Sequence, residues 1–322
     1  MRFAVVGAGA IGSLMGGRLA LAGHDVAMLA RGDHLAAIRD RGLRVIEADG
    51  TESLVRSMTV ADQLGELGPA DVVILALKAH QIAPMAEALS VLYDDETVVV
   101  PVQNGIPWWF FQGFGGPHDG YRLRSLDPEG LLESHIPTSR VIGSIAYPAS
   151  ERPEPGAVRV IEGDRFPVGE LSGERTDRAG AIAAALTEAG FASRVLTDIR
   201  AHLWVKAWGN LAFNPISALT GATLAGICRD GRTRELAAAM MGEAAAIADE
   251  LGVRTRISID KRIEGAEAVG EHKTSMLQDL EAGRELELEP LVGAFIELGE
   301  LTGVATPTIE AIYALTSLLS KR

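Results

Sequence analysis

The pattern of apolar and polar positions changes character once along the chain. Near the start, strand-length apolar runs alternate with amphipathic stretches. "RFAVVG" is followed by "SLMGGRLALAG", which ends at Gly23, and then by "HDVAMLARG". A buried strand, a helix closed by glycine and a second strand, all with short connections, form a βαβ unit and predict a parallel sheet. "ADVVILALKAH" and "ETVVVPVQNG" read as two more buried strands, and "RVIGSIAYPA", "GAVRVIEG" and "RFPVGEL" as shorter ones. An alanine-rich helix is expected over 176–189, and "FASRVLTD" as one more strand. From Ile199 the 3.6-residue period takes over, predicting helices over 199–219, 233–251, 258–270 and two within 289–319. The expected fold class is α/β: a Rossmann-type doubly wound sheet over 1–197 and an all-α domain over 198–322.

One stretch fits neither half. Between Gly105 and Thr138, "IPWWFFQGFGGPHDGYRLRSLDPEGLLESHIP" is long and rich in aromatics, Gly and Pro. It reads either as a loop packed on the body or a partner subunit, or as a lid over a substrate pocket. Four consecutive large side chains, Trp108, Trp109, Phe110 and Phe111, need a cover, so a homodimer is expected.

Composition narrows the function. The 322 residues are 47% hydrophobic and 23% charged, as in an ordinary globular protein of about two domains. The net charge is −13 and no Lys/Arg block occurs, which argues against nucleic-acid binding. An anionic ligand must then be held by local groups, such as a helix N-terminus or a single arginine. The single cysteine, Cys228, excludes an internal disulfide and suits a reducing compartment, so a cytoplasmic location is expected. The N-terminal apolar run is too short for a signal peptide, and apolar runs such as Val72–Leu77 are far too short to span a membrane. None of the seven histidines pairs with another ligand type at a familiar metal spacing, so no metal is expected.

Gly7-Ala8-Gly9-Ala10-Ile11-Gly12 is a GxGxxG motif that directly follows a strand and opens a helix. Its first glycine permits the tight turn, its second lets a pyrophosphate approach the backbone, and its third lets helix and strand pack closely. At the end of the second strand, where an NAD enzyme carries Asp or Glu for the ribose 2′-OH, the chain reads Met28-Leu29-Ala30-Arg31-Gly32. An arginine there suits a 2′-phosphate, so NADP(H) is expected, with Asp33 the residue that could instead serve NAD. Lys78 and Asn104 each follow a strand at its carboxyl end, where open α/β sheets bind ligands.

In "KAWGNLAFNP", Lys206, Asn210 and Asn214 fall at i, i+4 and i+8 on one helical face. Read alone, this is a snorkelling lysine with two solvent amides. Beside a nicotinamide, the ammonium can stabilise and protonate a carbonyl oxygen that accepts hydride.

Together, "GAGAIG", "LARG", "LALKAHQ", "VQNG", "KAWGNLAFNPISALTG", "TSMLQDLEAGRELELE" and "TPTIEAIYAL" resemble the ketopantoate reductase (2-dehydropantoate 2-reductase) family, in the family's order and over nearly the whole chain. The resemblance implies a Rossmann domain and a helical domain like the C-terminal domain of 6-phosphogluconate dehydrogenase, with the active cleft between them. It implies NADPH-dependent reduction of a 2-oxo acid, foremost 2-dehydropantoate to pantoate in pantothenate biosynthesis. By that resemblance Lys206 is the general acid. Asn210, Asn214 and Ser275 bind substrate, and Asn104 serves both substrate and cofactor. Lys78 lies on the cofactor side, and Glu287 near the nicotinamide ribose. Read from the residues, Glu285, Glu287 and Glu289 are only a solvated acidic stripe.

Three departures bear on the substrate. Leu224 stands where the family often has an asparagine, the 106–138 segment is longer and more aromatic, and Pro148 removes an N–H from a cofactor-side loop. A different 2-oxo or 2-hydroxy acid, or a non-catalytic NADP(H)-binding regulator, stays open beside the principal reading.

Overall fold

The computed structural model describes residues 1–321. They form two compact units. The first comprises Met1–Gln103, Phe111–Tyr121 and Gly130–Ile199. The second comprises Asn104–Phe110, Arg122–Glu129 and, of the described residues, 200–321.

The first unit carries all the strands: β1 Arg2–Val6, β2 Asp25–Leu29, β3 Leu43–Ile46, β4 Glu52–Val55, β5 Thr59–Ala61, β6 Val72–Leu75, β7 Val98–Pro101, β8 Ile142–Ser144, β9 Ala149–Glu151, β10 Ala157–Glu162 and β11 Val168–Glu170. Its helices are α1 Ala10–Leu21, α2 Gly32–Arg41, α3 Ala79–Ile82, α4 Leu131–His135 and α5 Asp177–Glu188. Strands β5-β2-β1-β6-β7 form one parallel sheet. β6 and β7 are buried along their whole length, as expected of strands covered on both faces. The register aligns Val6 with both Leu29 and Leu75, and Leu75 with Pro101. The segments that follow β1, β2, β6 and β7 therefore leave the sheet at one edge. The chain reverses its direction of growth at β1, which makes this edge a topological switch point.

A second sheet, β4-β3-β10-β9, contains a hairpin of β3 and β4 that the apolar pattern had not predicted. In β4 burial alternates, with Glu52 and Leu54 exposed, Ser53 half-buried and Val55 buried, but residue type does not follow it: a leucine faces out and a serine in, so the apolar pattern hides the strand. "FASRVLTD" is not a strand: it makes isolated bridges, Arg165↔Ala192 and Val168↔Val195. Ser193 interrupts the ladder, because its N–H turns back to the carbonyl of Phe191 and its Oγ donates to that of Phe166.

The second unit is helical: α6 Ile199–Thr220 (its first residue lies in the first unit), α7 Leu224–Arg229, α8 Gly231–Glu250, α9 Ile259–Val269, α10 Ser275–Glu281, α11 Ala294–Thr302 and α12 Pro307–Leu319. Thr223, Asp230, Ser258 and Thr274 each cap the helix that follows, their side chains accepting from its first N–H groups. A π-helical turn, Glu289–Gly293, precedes α11.

The aromatic run is divided between the units. Phe110 packs on Trp204 at 5.6 Å between ring centroids, and Trp204 packs on Phe295 at 5.4 Å. The Glu297 carboxylate of α11 accepts from the N–H groups of Arg124 and Ser125, both at 2.8 Å, which ties 122–129 to the helical unit. Phe111 instead packs within the first unit, on Phe114 at 5.1 Å and Tyr121 at 5.6 Å. All four aromatics are buried in the chain itself, which removes the argument for a second copy that rested on their needing a cover.

The glycines of the first loop have separable duties. A Cβ on Gly12 would stand 1.9 Å from the Gly7 carbonyl oxygen, whereas one on Gly9 would meet nothing nearer than 3.9 Å. Gly12→Ala is expected to cost at least the ~3 kcal/mol upper range of overpacking, while Gly9→Ala costs no more than about 1 kcal/mol of N-cap preference. Thermal melts of the two variants check the contrast. Phe110→Ala is expected to lose about 3–5 kcal/mol, the range for deleting a buried aromatic, in chemical denaturation.

Candidate active site

The first unit presents a surface that fits a dinucleotide. Gly9 is exposed at the N-cap of α1, with no side chain capping the helix, so the first N–H donors face outward next to a residue with no Cβ. Those donors and the positive end of the helix suit a pyrophosphate. Gly7, with φ of 109°, turns the chain so tightly that a Cβ there would lie 2.8 Å from the Ala76 carbonyl oxygen. Arg31 is exposed as the N-cap residue of α2, just past β2, and Asp33 follows in the first turn. Lys78 is the N-cap residue of α3 past β6, its N–H donating to Gln81 Oε1 at 3.2 Å. Gln103, past β7, has a buried Nε2 without a hydrogen-bond partner. Sequence reasoning had passed over this residue, which an amide beside "NG" at a strand's carboxyl end could have signalled.

The second unit brings together the polar face of α6 and three other segments. Lys206 is half-buried and its Nζ donates to Asn104 Oδ1 at 2.7 Å. Asn104 is held there by its neighbour. Gly105 adopts φ of 81°, and a Cβ on it would lie 2.1 Å from the Pro290 carbonyl oxygen. The N–H of Ile106 donates to that same oxygen at 2.9 Å. Only glycine lets the 104–106 segment lie so close to the π-turn.

Asn210, one helical turn on, has a buried Nδ2 with no partner. Such an amide is costly unless something pairs with it. Asn214 is buried and reaches Ser275, its Nδ2 donating to Oγ at a long 3.4 Å; Ser275 is the exposed first residue of α10.

Burial pushes the Lys206 ammonium down to about 8. The Glu287 carboxylate opposes that shift and the Arg262 guanidinium adds to it. The three glutamates thus part company. Glu285 is exposed, Glu289 accepts from Tyr313 OH at 2.6 Å, and Glu287 acts electrostatically on Lys206. An even acidic stripe is not what forms, because Glu285 and Glu287 lie in an irregular segment between α10 and the π-turn, and Glu289 opens the turn itself.

Arg262 is the cation that sequence reasoning missed. Its Nε donates to the Val205 carbonyl at 3.2 Å, and its guanidinium lies where a Cβ on Gly209 would meet Nη2 at 1.7 Å. A glycine inside a helix of bulky residues was the available signal of a close approach. Leu224, the half-buried first residue of α7, offers no polar group where an amide was looked for. Among the described residues, no three His, Cys, Asp or Glu side chains are placed to hold a metal ion, and no helix is long and apolar enough to cross a membrane.

Known proteins share this sequence and architecture. The family model "Ketopantoate reductase PanE/ApbA" matches residues 3–173, and "Ketopantoate reductase PanE/ApbA C terminal" matches 198–320. A 2-dehydropantoate 2-reductase of Mesorhizobium japonicum is 52% identical over 99% of this chain and 98% of its own. The crystal structure of 2-dehydropantoate 2-reductase from Geobacter metallireducens superposes with a TM-score of 0.87 at 29% identity, covering 99% of each chain. That of a PanE/ApbA family ketopantoate reductase from Ralstonia eutropha gives 0.85 at 26%, covering 100% of this chain and 99% of the other. Family models over both units, together with a relative at this identity across the full length, establish that the chain belongs to the ketopantoate reductase family.

Proposed function

We propose that the protein reduces a 2-oxo acid to the 2-hydroxy acid with NADPH, that the substrate is 2-dehydropantoate, and that Lys206 is the general acid. The product would be pantoate, on the route to pantothenate. The observation that carries the reading is the Lys206–Asn104 pair beside the unpartnered Asn210 amide on one face of α6. A snorkelling lysine with solvated amides would not leave a buried donor unpaired.

When bound, the reduced nicotinamide supplies hydride. The residues of this chain do the rest. The α1 N-terminus with Gly7, Ala8, Gly9, Ala10, Ile11 and Gly12 holds the pyrophosphate, and Arg31 the 2′-phosphate by charge-assisted hydrogen bonds. Lys78 and Glu287 complete the cofactor side. As the substrate carbonyl gains electrons, the Lys206 ammonium donates its proton to the oxygen, and an ammonium near neutral pKa does so readily. Asn104 fixes the direction of the Nζ. Asn210 and Asn214 orient the substrate's polar groups, and Ser275 its carboxylate.

Leu224 favours a second reading for the substrate. A pocket that lacks this amide discriminates less well for a hydroxylated side chain, which leaves room for a bulkier or less hydroxylated 2-oxo acid. A cytoplasmic location is proposed on the single, buried Cys228.

NADPH oxidation across a panel of 2-oxo acids tests the function. The highest kcat/KM is expected for 2-dehydropantoate. Tight NADPH binding with no turnover of any of them would favour a regulator instead. The pH dependence follows from the acid's protonation. Below about 8 the ammonium is present, and above it the donor is lost, so kcat/KM is expected to fall on the alkaline side with a limb near 8. Glu287→Gln is expected to move that limb to lower pH and Arg262→Met to higher pH. Arg31→Ala is expected to narrow the preference for NADPH over NADH by about 1.5–3 kcal/mol, the span of hydrogen bonds to charged groups. Titration of both cofactors decides it, and equal affinities in the wild type would remove the NADP assignment.

A further inference from the structure

Ser13, in the first half of α1, is fully buried. Its side chain is one link in a chain of hydrogen bonds that begins far from the glycine loop in sequence. The N–H of Gly156, in the connection between β9 and β10, donates to Nδ1 of His34 on α2 at 3.0 Å. Gly156, with φ of 81°, comes so close to α2 that a Cβ would lie 2.9 Å from that of Ala37. A backbone N–H only donates, so Nδ1 accepts and the neutral ring bears its proton on Nε2. Burial, and after it the Arg152 guanidinium, keeps the ring neutral, with its pKa lowered to about 4.

That tautomer sets the direction of every later bond. Nε2–H donates to Ser13 Oγ at 3.0 Å, so the single Ser13 hydroxyl proton goes elsewhere. It goes to the Ala8 carbonyl, at 3.2 Å. Arg152 Nη1 donates to the same oxygen at 3.3 Å. The N–H of Ser13 meanwhile donates to the next carbonyl, that of Gly9, at 2.8 Å. One buried residue thus holds two consecutive carbonyls of the GxGxxG loop. In a trans peptide the C=O and the following N–H point in opposite directions, and no peptide bond among the described residues is cis. With the Ala8 carbonyl drawn toward buried Ser13, the Gly9 N–H points the other way, to the exposed side of the loop.

We propose that Ser13 and His34 are positioning residues of the nucleotide site, which fix the Ala8–Gly9 peptide plane so that its N–H meets the pyrophosphate of the cofactor. The proposal rests on the dinucleotide reading of the glycine loop above. The loop needs such a device. Gly9 must lack a Cβ for the phosphate to come close, yet glycine is the residue least able to hold its own backbone in one conformation. The constraint therefore comes from outside the loop, through a hydroxyl whose one proton is committed to the Ala8 carbonyl. A donor already aimed at the phosphate spares the ordering cost of binding. Both residues are buried and act through the backbone, so neither pattern nor charge marks them in the sequence.

Equilibrium titration of NADPH, NADH, 5′-AMP and 2′-AMP, with thermal melts alongside, tests this in the wild type, Ser13→Ala, His34→Phe and His34→Gln. Ser13→Ala is expected to weaken NADPH, NADH and 5′-AMP by about 3- to 10-fold, the size of one neutral hydrogen bond. The same variant is expected to leave 2′-AMP, which has no phosphate at the loop, within about 1.5-fold, below one such bond. His34→Phe keeps a ring of similar size without its nitrogens and is expected to weaken the same three ligands; it also serves if Ser13→Ala does not fold. His34→Gln, whose amide can donate from the place of Nε2, is expected to restore them. Equal weakening of all four ligands would mean that the pair only stabilises the fold. Unchanged binding would mean that the Gly9 N–H needs no such support, and a His34→Gln as weak as His34→Phe would mean that the donor at Nε2 plays no part. Each of these overturns the proposal, whereas a wild type that binds neither NADPH nor NADH would overturn the dinucleotide reading itself.

Discussion

The site depends on an ammonium taken partly out of water. Lys206 would be an ordinary surface cation if α6 were solvated. Set among Trp204, Ala207 and Trp208, all buried, it loses hydration and regains one strong partner, Asn104 Oδ1 at 2.7 Å. Desolvation penalises the charged form, and the surrounding charges decide how far. Glu287 alone would hold the proton on; Arg262 pushes the other way. The balance leaves the ammonium with a pKa of about 8, and the proposed proton donation rests on that.

Much of the helical unit can be read as support for that balance. Gly105 lets the segment bearing Asn104 touch Pro290, and the π-turn that contains Pro290 begins two residues after Glu287. Gly209 admits the Arg262 guanidinium onto α6. Trp204, Phe110 and Phe295 form the apolar packing that fixes the helix from behind. Two glycines and one aromatic cluster thus set the positions of the hydrogen-bond partner and both opposing charges.

The parallel sheet, the glycine loop and the α6 face were legible in the sequence because each is a local pattern. Buried strands read as unbroken apolar runs, and a phosphate turn needs glycines at fixed spacing. Lys206, Asn210 and Asn214 announced themselves by an i, i+4, i+8 repeat that only a helix makes one-sided. What stayed hidden was set by contacts distant in sequence. Glu287 is one acidic residue among three until the irregular segment before the π-turn exposes Glu285 and leaves Glu287 partly buried. Arg262 reaches α6 from 57 residues away. In β4 of the β3–β4 hairpin the residue types do not alternate, with Leu54 outward and Ser53 inward, and the aromatic run gives no sign that Phe110 and Phe111 join different units.

The most direct measurement is single-turnover hydride transfer in Lys206→Ala, followed at the nicotinamide absorbance with NADPH and 2-oxo acid preloaded. The account predicts a loss of at least about 10²-fold in the transfer rate, the lower end for a missing general acid, with NADPH affinity and thermal stability near wild type. A rate within about threefold of wild type, far inside that span, would contradict it and leave Lys206, Asn210 and Asn214 as a structural face.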